Sequence, residues 1–293
     1  MSVKKYYRAK GSEKAASAVF LFLGVVNIAF VAVICLYLAA AGLPAIIEIG
    51  PVEFLFGQEW ASTAPEPRFG ILPFILTSVY GTCGAVILGL PIGFFSAVYL
   101  AKIAPKKVSQ TLIPLIDLLA GIPSVVYGFI GMLVLVPGIQ AFFGVPDGSG
   151  LLAAIIVLAV MILPSIIKVS TDAIASVPRE YELGSLALGA NRMETAFKVV
   201  VPAAKSGIAA AVVLGVGRAI GEAMAVMMVA GNVANIPHSL FDSVRFLTTA
   251  VASEMSYSYG LQREALFSIA LVLFVFIMLI NALLNLLLKK GGR

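Results

Sequence analysis

Six long apolar runs dominate this chain of 293 residues, and their length decides what it can fold into. Each has about 17 or more mostly apolar residues, the length that an α-helix needs to cross the core of a bilayer. Backbone polar groups must be satisfied within the bilayer, so runs of this length indicate helices rather than barrel strands. The predicted spans are Ala15–Leu43, Ile71–Leu100, Ile113–Phe143, Leu151–Ile167, Ile208–Val233 and Ala265–Leu288.

Composition and charge support this interpretation. A chain that is 60% hydrophobic, 12% charged and has a mean hydropathy of +1.04 is too apolar for a soluble domain. Sixteen of the 20 lysines and arginines lie on one side of the predicted spans, which places both termini in the cytoplasm. The net charge of +5 is therefore a topology signal and not a nucleic-acid-binding surface. Cys35 and Cys83 fall inside spans and are expected to behave as small hydrophobes.

The first apolar run follows a basic start and ends at Ala39–Ala41, a pattern shared with cleaved signal peptides. A signal peptide has an apolar core of about 7 to 15 residues, and this run is longer, so a retained helix is favoured. The predicted divisions are a cytoplasmic N-terminus (1–14), the first transmembrane helix (15–43), an outer loop (44–70), a core transmembrane domain (71–289) and a C-terminal tail (290–293).

The outer segment, residues 44–70, contains four glutamates and the only tryptophan of the chain, Trp60. It is predicted to be an outer loop or a short interfacial helix, with its aromatic side chains at the level of the lipid headgroups. A docking role for this segment is possible but is not required by the pattern.

Two opposite charges, Arg218 and Glu222, lie inside the fifth predicted span. Four residues apart on a helix, they would share one face. A charge at bilayer depth costs roughly 2.5 to 3.5 kcal/mol, so it persists only when it is paired or faces a polar cavity. Gly215, Gly217 and Gly221 thin the predicted helix around the pair, which favours approach by a ligand or a neighbouring backbone. A structural ion pair that locks the helix bundle is the alternative.

The second and third spans contain their own signals. Gly89 and Gly93 form a small-residue face that predicts close packing against a neighbouring helix. The run Gly121-Ile-Pro-Ser-Val-Val-Tyr-Gly128 is predicted to break the third span, and broken backbone at this depth is tolerated against protein or a water-filled cavity. Asp117 is interpreted as a structural carboxylate at the start of that helix.

The longest cytoplasmic segment, residues 168–205, has regular helix signals. Pro178 is expected to begin a short helix that ends at Gly189 in the left-handed conformation. Asn191 and Glu194 have the spacing of a capping box for a second short helix. Two short helices joined at a glycine are therefore predicted, with an ordinary loop on the membrane surface as the alternative.

This segment resembles the EAA motif, the cytoplasmic coupling loop of ABC importer permeases. In the run Leu186–Pro202, Gly189 is followed thirteen positions later by Pro202, as in that motif. The family has a Glu-Ala-Ala triplet beginning six residues before the glycine. Here that register holds Leu183-Gly184-Ser185, with Glu182 one place early.

Within that class, the runs Gly121–Gly128 and Gly217–Val226 resemble the phosphate-specific permeases, and Glu59 with Trp60 resembles the PstC-type subunit. The resemblance covers nearly the whole chain. It implies an all-α type I importer permease of MetI-like architecture with six transmembrane helices, located in the cytoplasmic membrane. The implied partners are a PstA-type permease subunit, two cytoplasmic ATPase subunits, an external phosphate-binding protein and membrane lipid.

The resemblance and the residue patterns together give a set of candidate sites. The predicted substrate pathway comprises Arg218, Glu222, Ser124 and Tyr127. The predicted ATPase-coupling residues, within a loop at 173–205, are Glu182, Leu183, Gly184, Gly189 and Pro202. No cofactor, metal or nucleic acid is expected.

Some sequence features bear on functions other than that of a permease. The sequence has no Gly-x-x-x-x-Gly-Lys-[Ser/Thr] loop, so ATP hydrolysis is assigned to a partner. An intramembrane enzyme would use Glu222 as a general acid or base, but the only histidine, His238, lies beyond the fifth span and no catalytic motif accompanies it. A permease for sulfate, molybdate or tungstate, and a phosphate sensor, remain alternatives.

Overall fold

The computed structural model describes the backbone of residues 3–290 and the side chains of residues 13–284 and 286. This part of the chain is predominantly helical, as the predicted all-α class requires. The helices are α1 (Val3–Ile49), α2 (Pro51–Phe56), α3 (Leu72–Val98), α4 (Lys106–Ala120), α5 (Ser124–Ile130), α6 (Val136–Phe143), α7 (Leu151–Ala175), α8 (Arg179–Ala187), α9 (Arg192–Thr195), α10 (Val201–Ala203), α11 (Lys205–Gly221), α12 (Met224–Val229), α13 (Leu247–Glu254) and α14 (Gly260–Lys290). Three π-helical turns, Tyr99–Ile103, Gly131–Leu135 and Ala196–Val200, and a hairpin of β1 (Trp60–Ala61) and β2 (Arg68–Phe69) complete the described elements.

The described residues contain enough long apolar helices for six membrane crossings, the predicted number. Five crossings are Glu13–Ile49, Leu72–Ile103, Ser124–Phe143, Leu151–Ala175 and Gly260–Leu284. The remaining crossing, the fifth in chain order, is Lys205–Gly221, which follows the loop segment Arg192–Ala203 across a bend of 73°. The predicted span Ile208–Val233 is therefore wrong in its limits, because its main helix ends at Gly221.

Two helices are longer than their predicted spans. The first, α1, continues through Pro44 to Ile49, so part of the predicted outer loop is helical. Helix α7 runs to Ala175 instead of ending at Ile167. On this extension Lys168 pairs with Asp172 at 3.7 Å, an i,i+4 ion pair that supports helical structure.

The predicted break in the third span is confirmed. Helix α4 ends at Ala120, and Pro123 is extended (φ −58°, ψ 138°) before α5 begins at Ser124. Proline lacks an N–H donor and disfavours helical backbone at the preceding residue, which explains the position of the break. Asp117 lies in the last turn of α4, so the expected role at a helix start is wrong. Its carboxylate instead lies 3.4 Å from Lys168 of α7.

Helices α3, α7 and α11 form the centre of the bundle through small-residue contacts. A Cβ atom on Gly93 would lie 2.8 Å from Ile166 of α7, and one on Gly89 would lie 3.0 Å from Ile162. The predicted packing face of α3 is thus confirmed, with α7 as the neighbour. A Cβ atom on Gly215 of α11 would lie 2.9 Å from the same Ile166 side chain. Ile166 therefore contacts both flanking helices.

The outer segment folds back onto the bundle. Trp60 is buried and packs edge-on against Phe69, with ring centroids 5.5 Å apart, and against Phe74 at 5.6 Å. Its indole Nε1–H points to the buried carboxylate of Glu254, 3.2 Å from each oxygen. Trp60 therefore packs within the protein and donates its hydrogen bond to a buried carboxylate, and its position at the headgroup level stays a prediction.

Candidate functional site

The fifth crossing is interrupted beside Arg218. Helix α11 ends at Gly221, and Glu222 has extended backbone (φ −73°, ψ 130°) before α12 begins at Met224. The sequence predicts that the two charged residues share one face of a continuous helix. Because the helix is broken between them, they do not. Cβ positions at Gly217 and Gly221 face open space, which leaves room beside the guanidinium.

Arg218 is half-buried and is held by a neutral partner. Its Nη1 donates to the hydroxyl of Ser165 on α7 at 3.1 Å. Among the described residues it forms no ion pair within 4.0 Å, so the predicted pairing with Glu222 is absent from this structure. A guanidinium has five N–H donors in a planar fork. Most of these donors are therefore not committed to Ser165.

In this structure Glu222 stabilises the break instead of pairing with Arg218. Its Oε1 accepts a hydrogen bond from the backbone N–H of Ala225 at 2.9 Å, where a carboxylate favours the start of α12. Its backbone carbonyl accepts from the hydroxyl of Thr248 on α13 at 2.7 Å. The residue thus fixes the break by joining α12 to α13.

The two broken crossings meet at this point. Gly128 of α5 lies so close to α12 that an added Cβ would be 2.7 Å from the Cα of Ala225. The Tyr127 hydroxyl donates to the carbonyl of Leu119 at 2.7 Å, which ties α5 to the end of α4 across the break. The hydroxyl proton of Tyr127 is therefore already donated within the break.

Ser124 is the first residue of α5 and is half-buried. It follows the break directly, on the helix that packs against α12. Guanidinium and hydroxyl groups can donate hydrogen bonds to an oxyanion.

The cytoplasmic loop has the predicted local structure. Helix α8 begins directly after Pro178, and Gly189 adopts the left-handed conformation with φ +89°. The capping box is complete: Asn191 Oδ1 accepts from the Glu194 N–H at 2.9 Å, and the Asn191 N–H donates to Glu194 Oε2 at 3.1 Å. The segment ends in α10, which contains Pro202 directly before the 73° bend.

This loop presents apolar side chains to its surroundings. Leu188, in the turn before Gly189, is 92% exposed, and Leu183 is 52% exposed. Gly184 has open space at its Cβ position. Exposed apolar residues grouped at the tip of a polar loop indicate a protein-contact surface. Glu182, by contrast, points inward and pairs with Lys102 at the end of α3, at 2.9 Å.

A buried polar network on the outer side was not predicted. Glu254 of α13 forms an ion pair with Arg245 and accepts hydrogen bonds from Trp60, Ser62 and Gln262. We name the hairpin 60–69, the loop 230–246 and α13 the outer cap. The sequence gives little sign of this network, because Arg245 is interpreted there only as a charge on the outer side of the membrane.

The fold and these sites define a class. A helical protein with up to six crossings, broken helices near a half-buried arginine and an exposed apolar loop has the features of a membrane transport permease. Residues 89–290 match the family described as the binding-protein-dependent transport system inner membrane component. The chain belongs to this family.

Individual relatives agree. A probable ABC transporter permease, YqgH of Bacillus subtilis, is 45% identical over 85% of this chain and 84% of its own. The phosphate transport system permease protein PstC of Haemophilus influenzae is 35% identical over 81% of each chain. The probable PstC of Methanocaldococcus jannaschii is 32% identical over 96% of this chain and 94% of its own.

Solved structures support the same fold. An inward-facing structure of the MetNI methionine ABC transporter aligns with a TM-score of 0.56, covering 76% of this chain and 95% of that one, at 20% identity. A similarity at this identity concerns the fold alone, and it agrees with the predicted MetI-like architecture.

Proposed function

We propose that this chain is the permease subunit through which a phosphate ABC importer moves inorganic phosphate into the cell across the cytoplasmic membrane. The observation that carries the proposal is Arg218: a half-buried guanidinium, held by Ser165 and not neutralised by a described carboxylate, where two broken crossings meet. The relatives named as phosphate permeases support the choice of substrate.

The physical argument starts from the cost of moving an anion across hydrocarbon. A fixed cation lowers that cost, and arginine remains charged at any relevant pH and binds phosphate oxygens two at a time. Ser165 orients the guanidinium without cancelling its charge. Ser124 offers a second donor from the neighbouring broken helix, and the Tyr127 hydroxyl holds the break in place.

Glu222 is proposed to discriminate between anions. Phosphate at neutral pH still carries a proton and can donate a hydrogen bond to a carboxylate, whereas sulfate cannot. A buried acceptor without a donor costs about 1 to 3 kcal/mol, which corresponds to roughly 5- to 150-fold discrimination. One Glu222 oxygen accepts from Ala225, and the other remains for the substrate.

The energy for transport is proposed to enter through the coupling loop at 173–205. Its exposed Leu183 and Leu188, beside Gly184, form the surface for a cytoplasmic ATPase, while Gly189 and Pro202 fix the two ends of its second helical segment. The full assembly would contain a PstA-type second permease subunit, two ATPase subunits and an external phosphate-binding protein. A permease for sulfate, molybdate or tungstate is the second candidate, since a guanidinium binds these anions as well.

The test is ATP-driven uptake of phosphate, sulfate and molybdate by the complete complex in proteoliposomes. Arg218→Gln is expected to reduce phosphate uptake to background while the complex still assembles. Glu222→Gln keeps an oxygen for Ala225 but adds an amide donor, so it is expected to weaken rejection of sulfate by roughly 5- to 150-fold. Arg263→Gln, at an exposed outer position, is the matched control.

Each variant has an outcome that contradicts the proposal. Normal phosphate uptake by Arg218→Gln would show that the arginine is structural. Unchanged selectivity in Glu222→Gln would remove the discrimination step only. Uptake of sulfate or molybdate in preference to phosphate by the unmodified complex would replace the proposed substrate.

A further inference from the structure

The ion pair between Lys102 and Glu182 connects the coupling loop to a membrane helix. Lys102 lies in the π-helical turn Tyr99–Ile103, which continues α3 at its cytoplasmic end, and Glu182 lies in α8. Their charged atoms are 2.9 Å apart, and the side chains are only 15% and 33% exposed. Partial burial reduces screening by water and salt, so this pair is held more firmly than an exposed one.

This pair is distinctive among the ion pairs of the described residues. The other pairs join two residues on the outer side, two residues of α7, or a residue of α7 to one of α4. One pair, of Lys198 with Glu194, joins two residues of the coupling loop. Only the pair of Lys102 with Glu182 joins α8 to a membrane-crossing helix. The base of the loop is attached differently, because Ala196 and Val200 pack in an apolar cluster with Ala97 and Val98 of α3.

Helix α3 is connected to the proposed substrate site through the side chain of Ile166 on α7. Gly93 of α3 contacts Ile166 of α7, and the same side chain contacts Gly215 of α11, three residues before Arg218. Ile166 also follows Ser165, which holds the guanidinium. A displacement of α3 would therefore shift Ile166, and with it both Ser165, which holds the guanidinium, and Gly215, which lies on the helix that carries Arg218. Tightly packed contacts transmit such a movement because they leave no space to absorb it.

We propose that Lys102 and Glu182 form a mechanical link that carries movement of α8 to α3 and so to the substrate site. This inference rests on the proposed function. The loop surface exposes Leu183 and Leu188 to the ATPase, while Glu182 faces inward to Lys102. Lys102 and Glu182 are thus positioning residues that act on the pathway through α3. The π-helical turn that carries Lys102 is a rare geometry, often found at functional sites.

The experiment measures the number of phosphate ions transported per ATP hydrolysed by the complete complex in proteoliposomes. Lys102→Gln and Glu182→Gln are each expected to lower this ratio about fivefold or more, with normal copurification of the ATPase. The exchanged pair, Lys102→Glu with Glu182→Lys, is expected to recover most of it. Lys107→Gln, at an exposed position of α4 outside the coupling loop, removes a lysine that forms no ion pair within the described residues, so it serves as the control with an unchanged ratio.

The outcomes separate a transmitting role from a structural one. A normal ratio in both single variants would overturn the proposal. So would loss of ATPase copurification, which would assign the pair to formation of the docking surface, or failure of the exchanged pair to improve on the single variants. Absence of phosphate uptake by both the unmodified complex and Lys107→Gln would instead refute the proposed substrate. The ratio would then be measured with the anion that the complex does transport, and the same outcomes would decide the proposal.

Discussion

The coupling loop and the outer cap lie on opposite sides of the membrane by the charge distribution, and they are stabilised in opposite ways. Within the coupling loop the contacts that shape its two short helices are local: Asn191 bonds to Glu194, and Ser185 to Thr195. In the outer cap the indole of Trp60 bonds to Glu254, 194 positions away. Local contacts leave a pattern in the sequence, whereas long-range contacts do not. The comparison predicts small, confined effects in the loop and large, global ones in the cap.

The largest effect is expected from Glu254→Ala in the outer cap. Arg245 would lose its buried counter-charge, and the Trp60 and Gln262 donors would lose their acceptor. Removing one partner of a buried ion pair typically costs about 3 to 5 kcal/mol. Thermal unfolding of the purified protein in detergent should show a large decrease in midpoint, with Glu264→Ala, an exposed position on α14, as the control.

A midpoint for Glu254→Ala equal to that of the control would contradict the expected difference in stabilisation between the outer cap and the coupling loop. It would mean that the outer cap is not stabilised by this network, and that hairpin and α13 are held by apolar packing alone. The apolar cluster of Phe54, Phe69 and Phe74 around Trp60 would then carry the stability.

Features of this molecule that depend on local patterns can be predicted from the sequence, whereas features that depend on long-range contacts cannot. Apolar length predicted six crossings, and Pro123 predicted the break in the third. The sequence does not predict the break at Glu222, because Gly221 fits the pattern of a packing residue and no proline marks the position. What keeps the chain extended there includes the bond from Thr248, 26 residues later, which no local pattern reveals.

The candidate site was predicted in part for the same reason. The cost of charge in a bilayer singled out Arg218, but its partner Ser165 comes from another helix, 53 positions earlier. The helical spacing of Arg218 and Glu222 suggested a pair that the broken backbone does not form. Similarly, Glu182 was selected for coupling, but its bond to Lys102 required the position of α3.

An intermediate effect is expected from Gly189→Val in the coupling loop. Gly189 has φ +89°, which β-branched residues strongly disfavour, and its Cβ position faces open space, so the strain is in the backbone alone. Such strain costs about 1 to 3 kcal/mol. The turn between α8 and α9 should therefore lose its shape, reducing phosphate transport per ATP and ATPase copurification. Gly24→Val, in the exposed part of α1, is the matched control.

Full transport and normal copurification in Gly189→Val would contradict the assignment of this loop to coupling. A decrease in global unfolding midpoint as large as that of Glu254→Ala would instead contradict the comparison, because a local turn would then stabilise the whole protein.

The smallest effect is expected from the capping box. Asn191→Ala removes the acceptor for the Glu194 N–H and should cost about 1 kcal/mol, confined to α9. Hydrogen exchange of the loop amides is the measurement, because global unfolding would scarcely report so local a change. Protection should decrease in residues 191–200 and remain unchanged in α7.

The same box predicts a pH dependence whose sign is fixed by Glu194. The backbone N–H of Asn191, and secondarily Lys198, hold the pKa of this carboxyl below its ordinary value of 4.5. The folded loop therefore favours the ionised form, so the contribution is complete above about pH 4.5 and is lost as the pH falls through the lowered pKa. Glu194→Gln still accepts the Asn191 hydrogen bond but does not titrate. Loop protection that falls on acidification in the unmodified protein and not in Glu194→Gln is the expected result, and an equal fall in both would assign the pH dependence to another group.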